Sequence, residues 1–246
     1  MKKNLNKMKI RVYNIVHGER ISLHLPLLVG EIDCKTDDGI IEVRNISRNE
    51  TTSIVWPIVE GTFKVLVRLV PGENQIQLKH EDEILSISIV FTFPDCKYFV
   101  RPLYIILSDD DGYFQGPENE DCSVVSALER IKLGAMLIQT FTAEKMKEHG
   151  FGRQSFQLEV NENFEPMCSV FHSKLSSEKA LSMTGNDLWT HFARELMTTS
   201  DFKDKELCKW YCFMSFTRYN LPEGADTPKS HSEILNYTKG HTALGK

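Results

Sequence analysis

Between Arg101 and Gly150 a short apolar run, a polar turn and a long helical pattern follow one another, and this unit constrains the rest of the chain more than any other stretch. Pro102-Leu-Tyr-Ile-Ile-Leu-Ser108 is rich in β-branched and aliphatic residues and ends in Asp109-Asp-Asp-Gly112, the pattern of a buried strand running into a turn. A helix is expected from about Asp121 to Glu148, because Val124, Leu128, Ile131, Ala135 and Ile138 recur at helical spacing. Leu133, Leu137 and Phe141 widen that face, so most of the helix is expected to be buried. Asp121 is the expected cap of the first turn, with Glu118 and Glu120 near the positive end of the dipole, and Gly150 supplies a left-handed stop. The sequence before Arg101 reads as β-structure and the sequence after Gly150 as mixed, so a second domain is expected to begin here.

A chain of 246 residues with 41% hydrophobic content has material for two packed cores. Its net charge of −5, with both signs mixed along the chain, offers no basic stripe for a phosphate backbone, so no nucleic-acid partner is expected. No apolar stretch follows the basic N-terminus Met1 to Lys9, and no run is long enough to span a bilayer, which points to a soluble, unsecreted, cytoplasmic protein without a membrane partner. Cys34, Cys96, Cys122, Cys168, Cys208 and Cys212 are then expected as reduced thiols. The sequons at Asn45, Asn49 and Asn236 are read as chance.

Strand candidates crowd the first hundred residues: Lys9 to Val16, Ile21 to Leu25, Leu27 to Ile32, Ile40 to Ile46 and Thr52 to Trp56. Gly61 to Leu69 puts Phe63, Val65, Val67 and Leu69 on one face, and Pro71-Gly-Glu-Asn74 reads as a hairpin-like connection to Gln75 to Lys79. Leu85, Ile87, Ile89, Phe91 and Phe93 alternate with their neighbours until Pro94. About seven strands in about 90 residues suggest a sandwich, and the Gly-x-Phe-x-Val-x-Val-x-Leu and Pro-Gly-Glu-Asn phrases resemble immunoglobulin-like β-sandwich modules. Trp56, Phe63, Phe91 and Phe93 sit in alternating patterns and are read as core.

Beyond the central helix, Ser155 to Val160 reads as a strand that would complete a strand-helix-strand crossover. Asn186 to Met197 is a second amphipathic helix, and Leu207 to Tyr219 is an aromatic-rich strand with room for a helical start. Leu221 to Lys229 is a breaker-rich loop, and Tyr237 to Gly245 reads as an edge strand.

Ala135 to Lys145, Gly150-Phe-Gly-Arg153, Phe213 to Tyr219 and Thr238-Lys-Gly-His-Thr-Ala-Leu-Gly245 together resemble the zinc metallopeptidase family of fungi and animals, which has metzincin-like features. The resemblance takes in the β-region as well. It implies an all-β immunoglobulin-like sandwich at 8–98, followed by an incomplete α/β metallopeptidase-like domain at 99–246. It also implies zinc in complete family members and a peptide or protein substrate. Such enzymes carry His-Glu-x-x-His on a helix, with two imidazoles on zinc and the Glu activating its water. That motif is absent here. The nearest fragment, His80-Glu81-Asp-Glu-Ile84, has isoleucine at the second histidine position and lies among strands. The zinc helix is expected after the Gly-His-x-Ala-Leu-Gly strand, where the sequence stops at Lys246. The expectation is therefore a truncated isoform, an incomplete gene model or a diverged paralogue, inactive as this chain, with a protein partner covering the incomplete domain.

No other chemistry rises from the residues. His191 and Glu195 lie one helical turn apart, Cys208 and Cys212 would do so in a helix, and His172 and His241 are the remaining metal-ligand candidates. No spacing secures three ligands, so no catalytic, cofactor-binding or metal residue is assigned. Asp109-Asp-Asp-Gly112 lacks the spacing of a calcium loop and is read as a solvated turn. Ser108, Ser123 and Ser215 lack a nucleophile elbow. The rival to the peptidase reading is a non-enzymatic binding or regulatory protein whose sandwich engages a protein or glycan.

Overall fold

The computed structural model describes residues 10–33, 39–48, 52–116, 119–215, 218–219 and 238–239. The chain divides into two compact units, Met1–Asp95 with Met136–Phe156, and Cys96–Ala135 with Gln157–Lys246.

The first unit is a single hydrogen-bonded sheet of β1 (Ile10–Val12), β2 (Glu19–Ile21), β3 (Leu27–Ile32), β4 (Gly39–Asn45), β5 (Ile54–Val59), β6 (Thr62–Leu66), β7 (Gly72–His80) and β8 (Glu83–Phe91). The order is β1-β3-β6-β5-β4-β7-β8-β2, and only the β8–β2 pair is parallel. β1 and β2 stand at opposite ends of that order, yet only Tyr13 to Gly18 separates them in sequence. A flat sheet would hold its end strands about 33 Å apart. The linker can reach about 25 Å at most. The sheet therefore curls on itself, with the linker strung from Val29 of β3, which accepts from Tyr13, to Ser88 of β8, which accepts from Gly18. The enclosed face holds the alternating apolar residues, among them Leu28, Ile41, Phe63, Val65, Ile76, Leu78 and Ile89. Gly30 is required where β1 and β3 meet, because a Cβ there would lie 2.2 Å from the Arg11 carbonyl oxygen and 2.3 Å from the Phe63 ring.

Pro71 to Asn74 does not join paired strands. β6 lies between β3 and β5, and β7 between β4 and β8, so the connection carries the chain across the sheet. It is shaped by Asn74, whose amide donates to the Val70 and Gly72 carbonyls and accepts from Val70 N–H and the Asn45 amide. The true hairpin beside it is β5–β6, turned by Glu60 and Gly61 at φ 51° and 70°. Asn45 is buried and bonded on both Asn74 and the Arg68 carbonyl, which closes that sequon to modification.

The second unit is built on a parallel sheet of β9 (Phe99–Ile106), β10 (Ser169–His172) and β11 (Cys208–Met214), in the order β10-β9-β11. Helix α1 (Val124–Glu148) follows β9, while α2 (Ser177–Ser182) and α3 (Gly185–Thr198) follow β10. The first part of α1 covers one face of the sheet through Ala127 and Ile131 against Tyr104 and Ile106. Leu188, Phe192 and Leu196 of α3 cover the other against Leu103, Ile105 and Phe171. A strand covered on both faces must be apolar at every position, which explains the continuous run from Pro102 to Leu107. Two further short strands, β12 (Arg218–Tyr219) and β13 (Thr238–Lys239), pair with each other antiparallel. Most of the expected loop at 221–229 and of the edge strand at 237–245 lies outside the described residues. Among the described residues no helix is long and apolar enough to cross a membrane.

Helix α1 ends where expected, at Gly150 with φ 83° and with Phe151 N–H bonded back to the Met146 carbonyl. Ile131 and Ala135 are buried as expected, with Val124 and Leu128 packed beside the core, but the start of the helix and the faces of its second half differ from expectation. Ser123, not Asp121, precedes the first turn, and Asp121 accepts from Ser123 N–H instead. Leu133, Leu137, Ile138 and Phe141 are 48%, 40%, 43% and 64% exposed, while Met136, Gln139, Thr140 and Ala143 are buried. Polar bonds set this rotation. Thr140 Oγ1 donates to the Leu25 carbonyl at 2.6 Å and Gln139 Nε2 to the Phe156 carbonyl at 2.8 Å, and Ala143 is small enough to join the first unit's core. Ser155 to Val160 forms only isolated bridges, Val100 with Leu158 and Val160 with Pro166. The strand that continues beside β9 is β10.

Candidate functional site

In an α/β sheet whose strand connections leave on opposite faces, ligands gather outside the carboxyl ends of the strands. Here the connection after β9 runs over one face and that after β10 over the other, so the ends of these two adjacent strands form such a position. Ser108 to Gly112 follows β9, His172 and Ser173 end β10, and Ser215 follows β11.

The acidic turn after β9 is already committed to structure. Asp109 Oδ1 accepts from both N–H and Oγ of Ser177 at 2.7 and 2.9 Å, and these bonds hold its carboxyl below the ordinary value. Asp110 accepts from Gly112 N–H and from Ser215 Oγ, and Asp111 from Tyr113 N–H. The turn is thus knitted to α2 and to the end of β11. Ser215 is buried, so it supports the loop and presents no nucleophile.

Beside it, Glu195 of α3 closes the end of β10. Its Oε2 accepts from Ser173 Oγ at 2.5 Å, its Oε1 from Lys174 N–H at 3.0 Å, and His191 Nε2 lies 3.4 Å from Oε2. Glu195 sits at the centre of this group, bonded to a serine on one side and facing an imidazole on the other. In a hydrolytic triad the imidazole must stand between acid and nucleophile. The arrangement anchors a turn. The pairing of Glu195 with Ser173 carries no sequence signal, since the two residues lie far apart in the chain.

Zinc needs three or four converging donors. Among the described residues no three His, Cys, Asp or Glu side chains gather in this way. His191 and Glu195 form the pair that helical spacing suggested. His172 is exposed at the end of β10, and His241 lies outside the described residues. Cys208 and Cys212 occupy a strand, not a helix, which separates them by about 13 Å along its axis. Burial also pushes the Cys212 thiol up to about 12, opposing the thiolate a metal requires. His80 and Glu81 stand at the β7–β8 turn, with His80 Nδ1 on the Ile40 carbonyl and Glu81 at φ 51°. The described residues therefore do not fit a zinc ion.

At the opposite end of the sheet, Arg101 shows what an isolated charge in an apolar strand signals. Its guanidinium is buried and forks onto Glu159, Nε to Oε2 at 2.7 Å and Nη2 to Oε1 at 2.6 Å, while Nη1 donates to the Lys203 carbonyl. The rings of Phe99, Phe202 and Trp210 stand 5.2, 5.3 and 5.3 Å from its centre. Every face of the cation is occupied, so it braces the fold.

A curled β-unit followed by a parallel sheet with helices on both faces defines a mixed protein whose second half is of the α/β kind. The chain belongs to the family described as "Putative peptidase family" (Metallopep), whose model matches residues 9–246. It is similar to a protein of Schizosaccharomyces pombe named "Putative zinc metalloproteinase", 29% identical over 205 residues that make up 77% of this chain and 31% of the relative. It is also similar to a Saccharomyces cerevisiae protein of the same description, 27% identical over 153 residues, 60% of this chain and 22% of the relative. The chain thus spans less than a third of the length of either relative. No solved structure matches it.

Proposed function

We propose that this chain is the β-unit and sheet scaffold of a zinc metallopeptidase acting on peptide or protein substrates, and that it does not hydrolyse peptides by itself. One observation supports the second part: among the described residues no three His, Cys, Asp or Glu side chains converge. The family membership and the names of the relatives support the first part. In this reading the metal ligands are contributed by polypeptide of the kind the relatives carry outside the matched portion. The curled sheet is read as the immunoglobulin-like sandwich module, at 8–98, and the second domain as 99–246. The cytoplasm is the proposed compartment, in keeping with the free thiols of Cys96, Cys122, Cys168, Cys208 and Cys212.

Metal content of the purified chain, measured after equilibration with trace zinc and alongside hydrolysis of a mixed peptide library, tests this. Substoichiometric zinc and no cleavage are expected. Stoichiometric zinc with cleavage would overturn the reading.

A second reading, a binding or regulatory protein, is favoured by one surface. Ile40, Val55 and Val59 are more than half exposed on the outer face of β4 and β5, with exposed Pro57 paired to Ile40. Contiguous apolar surface of this kind suits a protein partner better than a glycan.

A further inference from the structure

The open side of β11 has a chemistry of its own. Among the described residues β9 is its one neighbouring strand. In a parallel ladder alternate residues turn both main-chain groups to the same neighbour. Ser215 N–H donates to the Ile105 carbonyl at 3.1 Å, which fixes the alternation: Lys209, Tyr211 and Phe213 face β9, and Trp210, Cys212 and Met214 present their N–H and C=O groups at the open edge.

Sheet edges exposed to water are ordinarily guarded by lysine, proline, glycine bulges or inward charges. From Trp210 to Met214 β11 has none of these. Those five residues are apolar on both faces and only half-buried, whereas Arg101 to Ile106 of β9 are all buried. By composition β11 is an interior strand standing at an edge.

We propose that β11 pairs antiparallel with the β11 of a second copy of this chain, across a two-fold axis at Cys212, to make one continuous sheet from two three-stranded ones. The strand is complementary to itself in this register. Tyr211 meets the partner's Phe213 on the α1 face, and Trp210 meets the partner's Met214 on the α2 and α3 face, each contact occurring twice by symmetry. Tyr211 and Phe213 already stand edge to face at 4.5 Å within the strand, so the pair of strands builds a four-ring cluster. Cys212 and the partner's Cys212 exchange both main-chain bonds at the centre, and Lys209, the charged residue of the strand, is carried to the rim. A two-fold contact of this type uses both edges and closes, whereas head-to-tail pairing would continue into a fibre. This inference rests on the edge of β11 alone and is independent of the peptidase reading.

Sedimentation velocity over a wide concentration range, with hydrogen exchange read amide by amide, tests it. The expected result is a monomer–dimer equilibrium in which the Trp210, Cys212 and Met214 amides exchange slowly in the dimer and quickly on dilution. Cys212→Pro removes an N–H that faces the open edge and not β9, and Tyr211→Lys adds an edge guard; both are expected to shift the equilibrium to monomer at least tenfold. A monomer at every concentration overturns the proposal, whether those amides exchange quickly, meaning an empty edge, or slowly at all dilutions, meaning an edge covered by the same chain. A dimer whose three amides stay fast overturns it too, by placing the interface elsewhere.

Discussion

Arg101 and Glu159 face each other as a two-pronged fork across 58 positions of sequence, with side chains only 5% and 20% exposed. Removing one partner leaves the other charge in a site largely closed to solvent. Glu159→Gln is expected to cost about 3 kcal/mol, read as a fall in the urea midpoint with unchanged slope. A loss below about 0.5 kcal/mol would mean the pair behaves as a surface bridge.

Asn74 makes four hydrogen bonds with a single buried amide. Asn74→Ala strands two donors and two acceptors around the 70–74 turn and should destabilise the β-unit by about 2–4 kcal/mol. Asn74→Asp keeps the shape but loses the amide donors, so an equal or larger loss is expected from thermal unfolding.

Acid should act partly through Asp109. Two bonds from Ser177 hold its carboxyl below the ordinary 3.8, so the folded state binds this proton less readily than the unfolded chain does. The resulting stabilisation is present above the unfolded value and is lost as pH falls through the lower folded value. Ser177→Ala removes one of the two bonds, and its stability curve should lie closer to the wild type at pH 2 than at pH 6. Parallel curves from pH 6 to pH 2 would contradict this.

Thiol chemistry should sort the cysteines by burial. Cys168 and Cys212 are both pushed up to about 12 by burial and are protonated at pH 8, whereas Cys96 is exposed. Alkylation followed by mass spectrometry is expected to modify Cys96 first, with the half-buried Cys168 and Cys212 reacting more slowly in the native protein than in denaturant. Early labelling of Cys212 in the native protein would contradict its raised thiol.

The elements were legible in the sequence where periodicity is local. The strict alternation expected from Leu85 to Phe93 is β8 as far as Phe91, the spacing from Leu188 to Leu196 is α3, and Gly150 stops α1. Which strands pair was not legible, because pairing is decided by partners far away: Pro71 to Asn74 looks like a hairpin, yet it links strands with different neighbours. The buried face of the second half of α1 was not legible for a related reason, whereas Ile131 and Ala135 in the first half are buried as their spacing indicates. Hydrophobic spacing favours burying Ile138 and Phe141, but two hydrogen bonds from Gln139 and Thr140 turn the other side inward, and no pattern of apolar residues announces such bonds. At the candidate site the residue types were visible and their company was not. Glu195 and Ser173 meet only once α3 has folded over the sheet, and the three aspartates after β9 reveal their structural work only through Ser177, Ser215 and Tyr113.

The curl of the first sheet imposes a waiting time on a growing chain. Glu19 of β2 has its register partner at Ile89 of β8, so the strand leaves the ribosome on the order of ten seconds before the residues it must pair with. The segment of α1 that seals the same core, through Ala143, follows later still. Until then β2 is an unmatched strand tethered to a half-built sheet, and the speed of translation through residues 19–143 becomes a variable in how much protein reaches the native state.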